Sequence, residues 1–109
     1  MIKTREDALR LLREFRYGLE KIYGDRLRGI YLFGSYGRDQ AHEDSDVDVA
    51  VVLRGPVHSW TEGKRTSELV SDRSLREKCI IVPFFLSEEE HRATPYAIHR
   101  SIVREGVAI

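Results

Sequence analysis

Residues Asp46 to Leu53 set two carboxylates at the head of a valine-rich run, and few folds can house that combination. The β-branched content of Val47, Val49, Val51 and Val52 predicts a strand. Side chains alternate between the two faces of a strand, so Asp46 and Asp48 would share one face while Val47 and Val49 turn into the core. Such a strand is anchored on one side and charged on the other. Two carboxylates that close repel each other unless a cation lies between them. Oxygen-only ligands suit magnesium or manganese, ions that usually keep waters or substrate phosphates in their shell. An Asp-x-Asp pair alone is more often a solvated acidic pair, so its meaning depends on what accompanies it.

What accompanies it is Gly29-Ile30-Tyr31-Leu32-Phe33, a short apolar run whose length and composition predict a buried strand ending at Gly34-Ser35. Glycine at a strand end lets the backbone approach a ligand closely. A helix starting near Ser35 would offer its free N–H groups to a phosphate, with the Ser35 hydroxyl adding a hydrogen bond and Arg38 adding charge. Gly-Ser after a strand is commonly just a turn. Gly-Ser, ten residues, then Asp-x-Asp is a more specific pattern: a phosphate cradle beside a two-carboxylate metal site. Nucleotidyl transfer requires such a pairing, because the triphosphate must be held and the charge on departing pyrophosphate neutralised.

The flanking sequence predicts a small α/β arrangement. Ala8, Leu12, Phe15, Leu19 and Ile22 form one apolar face of a helix over Thr4–Tyr23, with Thr4 and Asp7 at capping spacing and Gly24 as its stop. Gly18 weakens that helix by roughly 1 kcal/mol relative to alanine. Arg54-Gly55-Pro56 ends the valine strand, and a polar helix from Trp60 to Leu75 follows, anchored by Trp60, Leu69, Val70 and Leu75. Cys79 to Leu86 predicts a third strand, in which Pro83 points to an edge position or a bulge. Ser87 and Glu90 have capping-box spacing, and the acids Glu88-Glu89-Glu90 suit a helix N-terminus. Thr94-Pro95 then caps a last helix that runs to about Glu105 and stops at Gly106. With no repeat or linker, residues 1–109 read as one domain.

Composition narrows the function classes. Basic and acidic residues balance at 18 each, without the basic excess expected of a nucleic-acid-binding protein. Cys79 is the sole cysteine, which excludes an internal disulfide and a cysteine metal cluster, and its apolar surroundings read as core. No apolar run approaches the roughly 18 residues of a membrane span, and the start of the chain lacks a secretory leader, so a cytoplasmic location is expected. His42, His58, His91 and His99 show no metal-ligand spacing, although His42 lies in the loop near Asp46, within reach of a substrate. Tyr36 stands next to the cradle.

Gly34-Ser35, ten residues, then Asp46-Val47-Asp48 resembles the signature of the DNA polymerase β nucleotidyltransferase superfamily, and the short chain resembles its minimal nucleotidyltransferase (MNT) branch. The match is strongest over Leu27 to Leu53. The resemblance implies an α+β fold with a short mixed central sheet flanked by helices. It implies that Gly34, Ser35 and Arg38 bind nucleotide, that Asp46 and Asp48 are catalytic and hold Mg2+ or Mn2+, and that ATP is the donor. Active relatives usually carry a third acid on the third central strand. Here Glu77, at the start of that strand, is the nearest candidate, and Lys78 falls where an aspartate is expected. Asp39 occupies a position where many relatives have glycine. By the same resemblance the acceptor is a partner of HEPN type, with this chain as the antitoxin of a toxin–antitoxin pair. The missing third acid suits an alternative, a degenerate protein that neutralises its partner without chemistry. Self-association is compatible with either reading.

Overall fold

The structure, a computed structural model, describes residues 2–41 and 46–109, so the expectation for His42 lies outside the described residues. Helix α1 spans Arg5–Tyr23, and the Thr4 hydroxyl and Asp7 carboxylate cap each other's backbone as the spacing predicted. A short turn leads into β1 (Leu27–Phe33), then α2 (Gly34–Gly37) and β2 (Val47–Leu53). Helix α3 (Ser59–Glu77) precedes β3 (Ile81–Ser87), α4 (Glu88–Ala93), α5 (Ala97–Glu105) and β4 (Val107–Ala108).

The sheet runs β3-β2-β1-β4. β1 is antiparallel to β2 and β4, whereas β2 and β3 are parallel. Parallel neighbours need a long crossover, and α3 supplies it. Alternation along the strands divides the core in two. Val47, Val49, Val51, Ile30, Leu32, Ile81 and Phe85 pack with Leu11, Leu12, Phe15 and Leu19 of α1. On the opposite face Phe33, Ala50, Val52 and Leu86 pack with Ile102 of α5. Pro83 sits on an edge strand, as its chemistry requires.

Several sequence expectations shift. Trp60 and Leu75 are each 79% exposed and anchor nothing, and Ile22 also faces outward. Helix α3 is held instead through partly buried Leu69 and Val70 and through buried Thr66 and Glu62. The Glu62 carboxylate accepts from the Tyr23 hydroxyl at 2.9 Å and lies 3.7 Å from Arg65 and 4.0 Å from Arg26. Burial, then that carboxylate, push the Tyr23 hydroxyl far above its usual pKa. Gly18 has a packing reason: a Cβ there would stand 2.5 Å from Leu69 Cδ1, so glycine lets α1 and α3 approach.

Strand β3 begins at Ile81, two residues later than predicted, because α3 runs on to Glu77 and Lys78 closes it. Glu77 therefore ends a helix and does not start a strand. Ser87 and Glu90 form the predicted capping box. Thr94 ends α4 in a left-handed conformation, and Tyr96 is the residue that precedes α5. β4 went unforeseen, since two residues carry no periodicity.

Lys78 holds φ +52°, a left-handed conformation that costs an L residue roughly 1 kcal/mol or more and glycine almost nothing. Lys78→Gly should therefore raise the urea midpoint of unfolding while leaving the denaturant slope unchanged.

Candidate functional site

The two halves of the candidate site meet because Phe33, the last residue of β1, pairs with Asp48 on β2. The chain then turns at once into α2. Gly34 takes φ +68°, and a Cβ there would collide with the Asp48 carboxylate, standing 3.0 Å from its Cγ. Glycine is thus required twice, for the turn and for the approach of the acid. A four-residue helix cannot hold itself, and α2 is fixed from below. Tyr36 is buried, with its hydroxyl 3.5 Å from the Ile2 carbonyl. Arg5 donates to the Gly37 carbonyl at 3.1 Å, and a Cβ at Gly37 would come within 2.9 Å of the Leu32 carbonyl oxygen. Sequence reasoning noted Tyr36 only for its position. The signal it lacked was the three-dimensional one, that an aromatic after Gly-Ser plugs the cradle onto the core.

Ser35 is half-buried at the start of α2, where the first N–H groups of a helix have no intrahelical acceptor. Arg38 closes α2 through its backbone N–H to the Gly34 carbonyl at 3.0 Å. Its guanidinium bonds Glu105 Oε2 at 3.1 Å and Gln40 Oε1 at 3.1 Å. Asp39 takes φ +59°, the left-handed region that favours glycine, so the aspartate stands at a strained position in this loop.

Asp46 is exposed and immediately precedes β2, while Asp48 is half-buried within it. The backbone N–H of the intervening Val47 donates to the Ile80 carbonyl at 2.8 Å, and the Val47 side chain is buried as expected. Burial, then the neighbouring Asp46 charge, raise the Asp48 carboxyl pKa, and Arg38 partly opposes them. A divalent cation would relieve both causes, and two carboxylates are the hard donors such an ion takes. The residues present fit magnesium or manganese shared with substrate phosphates.

The third strand is where the site departs from the expectation. The register places Val82 beside Asp48, so the row across the sheet reads Phe33, Asp48, Val82, with Phe33 buried in the second core. Val82 is 40% exposed, and Ile80 two residues earlier is also exposed. Neither Glu77 nor Lys78 stands on that row, because both precede the strand. Glu77 and Asp46 both raise the Cys79 thiol pKa after burial does, so charge from the α3 end reaches the same neighbourhood. Cys79 itself is half-buried and packs against the first core. Among the described residues no group of three His, Cys, Asp or Glu side chains could hold a metal. His91 stacks on Tyr31, and His99 is buried between Phe84 and Tyr96. A cleft of about 530 Å³ lies at the other end of β2, lined by Arg54, Gly55, Ser87 and Glu88 and remote in register from Asp48.

Comparison with known proteins follows the same geometry. Residues 9–106 match the family model described as the nucleotidyltransferase domain. Two proteins of Methanocaldococcus jannaschii, each named as a candidate protein adenylyltransferase, are 30% identical to the chain. One match covers 71% of this chain and 77% of the relative, and the other covers 87% and 90%. A crystal structure of a candidate nucleotidyltransferase from Sulfolobus solfataricus superposes with a TM-score of 0.70 at 19% identity, over 95% of this chain and 80% of that one. A structure of a tri-AMPylated Shewanella oneidensis HEPN toxin in complex with MNT antitoxin gives 0.52 at 20% identity, over 88% and 69%. At these identities the structural likeness concerns the fold, a mixed sheet flanked by helices.

A raised carboxyl pKa has a definite sign in stability. Ionised Asp48 opposes folding at neutral pH, and the penalty vanishes once pH falls below its ordinary value of 3.8. Asp48→Asn should melt above the wild type at pH 7 in EDTA, with the difference shrinking on acidification. Added Mg2+ should then stabilise the wild type more than the variant. Gly34→Ala should lose stability, measured by thermal melts, because its Cβ meets the Asp48 carboxylate and its backbone is left-handed.

Proposed function

The chain belongs to the nucleotidyltransferase domain family, and on that basis we propose that it transfers AMP from ATP to a hydroxyl of a protein acceptor. The observation that carries this reading is the contact geometry of Gly34 with Asp48, which sets a phosphate cradle directly against a half-buried carboxylate. The nature of the transferred group and acceptor is supported by the two relatives named for protein adenylylation. A HEPN-type acceptor, with this chain as its antitoxin, is supported by the AMPylated complex whose fold the chain shares.

In this reading Ser35 and the first N–H groups of α2 hold the β- and γ-phosphates, and Arg38 adds charge at their edge. Asp46 and Asp48 would hold magnesium or manganese, which would supply charge neutralisation for the triphosphate and for pyrophosphate as it leaves. Asp48 must be ionised for this, so its raised pKa makes activity fall as pH drops toward the acid range. Substitution at phosphorus runs with attacking and leaving oxygens roughly in line. Pyrophosphate held at the end of β1 therefore requires the acceptor oxygen on the opposite side of Asp48, over β3. Val82 and Ile80 line that approach, so the acceptor meets an apolar surface, and Glu77 contributes charge only from the α3 end.

A second reading, binding and neutralisation of a partner without chemistry, is favoured by Val82 where an acid would serve the nucleophile. The two separate in one assay. Purified chain, a HEPN-type partner, Mg2+ and labelled ATP should give label on the partner. Asp46→Ala/Asp48→Ala should lower the rate at least about a hundredfold while the complex persists on gel filtration. Equal labelling by wild type and double variant would end the transferase reading. A complex that forms and silences the partner with no label at all would establish the second one.

A further inference from the structure

The most unexpected side-chain contact near the cradle comes from the far end of the chain. Glu105, the last residue of α5, places Oε2 3.1 Å from Arg38 Nη1, 67 residues away in sequence. Its side chain is only 17% exposed, so this carboxylate is more sheltered than an ordinary surface partner. The backbone there is equally close, since a Cβ on Gly37 would stand 3.2 Å from the Glu105 carbonyl oxygen. Gln40 takes the Arg38 Nε at 3.1 Å, so the guanidinium is held at two of its nitrogens. Arg38 directly follows α2, and its backbone N–H donates to the Gly34 carbonyl at 3.0 Å, so the guanidinium is carried by the same turn as Gly34 and Ser35.

We propose that Glu105 is a positioning residue that orders Arg38 for the phosphates of a nucleotide bound at the Gly34–Ser35 turn. This rests on the nucleotide-binding reading above. An ion pair whose arginine is 42% exposed contributes little to stability, and α5 is already fixed by buried Ile102 and by the turn at Gly106. Ordering an arginine is a different matter. A long side chain that must be immobilised on binding loses rotamer freedom, and a partner that immobilises it beforehand removes that cost from the binding step. Guanidinium carries five N–H donors in a fixed fork, and the two bonds to Glu105 and Gln40 use two of them. The remaining donors can serve phosphate oxygens without surrendering the carboxylate.

The test is Mg-ATP titrated into the full chain by calorimetry, with the Arg38 Nε–Hε resonance followed by NMR in the absence of nucleotide. Glu105→Gln should weaken ATP binding roughly three- to tenfold, with the melting temperature nearly unchanged, and should move the Arg38 resonance to the position of a mobile arginine. In a transfer assay the loss should appear in KM and not in kcat. Glu105→Asp should recover part of the affinity. In an Arg38→Gln background, adding Glu105→Gln should cost nothing more. Wild-type affinity in Glu105→Gln, or the same loss with and without Arg38, would overturn the assignment while leaving nucleotide binding intact. Failure of the wild type to bind Mg-ATP would remove both this inference and the reading beneath it.

Discussion

Everything at the candidate site depends on one steric fact: the backbone at Gly34 and the carboxylate of Asp48 occupy adjoining space with no room for a Cβ between them. The antiparallel pairing of Phe33 with Asp48 creates that proximity, and the left-handed turn at Gly34 preserves it. The surrounding elements serve that junction. Tyr36 and Arg5 pin α2 to the core and the N-terminal segment, and the Val47 amide ties the start of β2 to the Ile80 carbonyl. A loop alone would hold an acid against a tight glycine turn less precisely than a sheet does.

Asp48 is held at an energetic disadvantage. Asp48 is partly removed from water and lies beside a second carboxylate, and both effects favour its protonated form. Stabilisation elsewhere has to offset this, and the two cores do so. The valines of β2 alternate with the acid, so the charged face of the strand is held by what its other face buries. The same strand faces α1 on one side and Ile102 of α5 on the other, which leaves only its first residues open.

Local chemistry was legible in the sequence wherever a motif carries its own geometry. Thr4 with Asp7 and Ser87 with Glu90 capped their helices as read, and the apolar face of α1 faced the core apart from Ile22. The apolar runs of β1 and β2 and the edge role of Pro83 were legible for the same reason. Long-range register was not. Nothing in Glu77-Lys78-Cys79-Ile80 says whether the helix stops before or after Glu77, because Lys78 ends it by adopting a conformation unusual for lysine. That uncertainty shifts the strand, and with it the identity of the residue beside Asp48. The exposed Trp60 misled for a related reason, since hydrophobicity in a polar helix suggests an anchor where Glu62 and Thr66 in fact make the buried contacts. The link from Arg38 to Glu105 has no local signature at all.

Pro83 bears on how this molecule meets others. It lies in the first half of β3, an edge strand of the sheet, and pairs inward in register with Val49. A proline there has no amide hydrogen, so the outer rim of the sheet is interrupted near the start of the strand. A neighbouring chain cannot zip onto this rim as a fifth strand with an unbroken ladder. Whatever approaches Ile80 and Val82 must be recognised through side-chain shape, which lets the protein keep an apolar surface open beside its carboxylates while resisting the sheet-to-sheet growth that such a surface would otherwise invite.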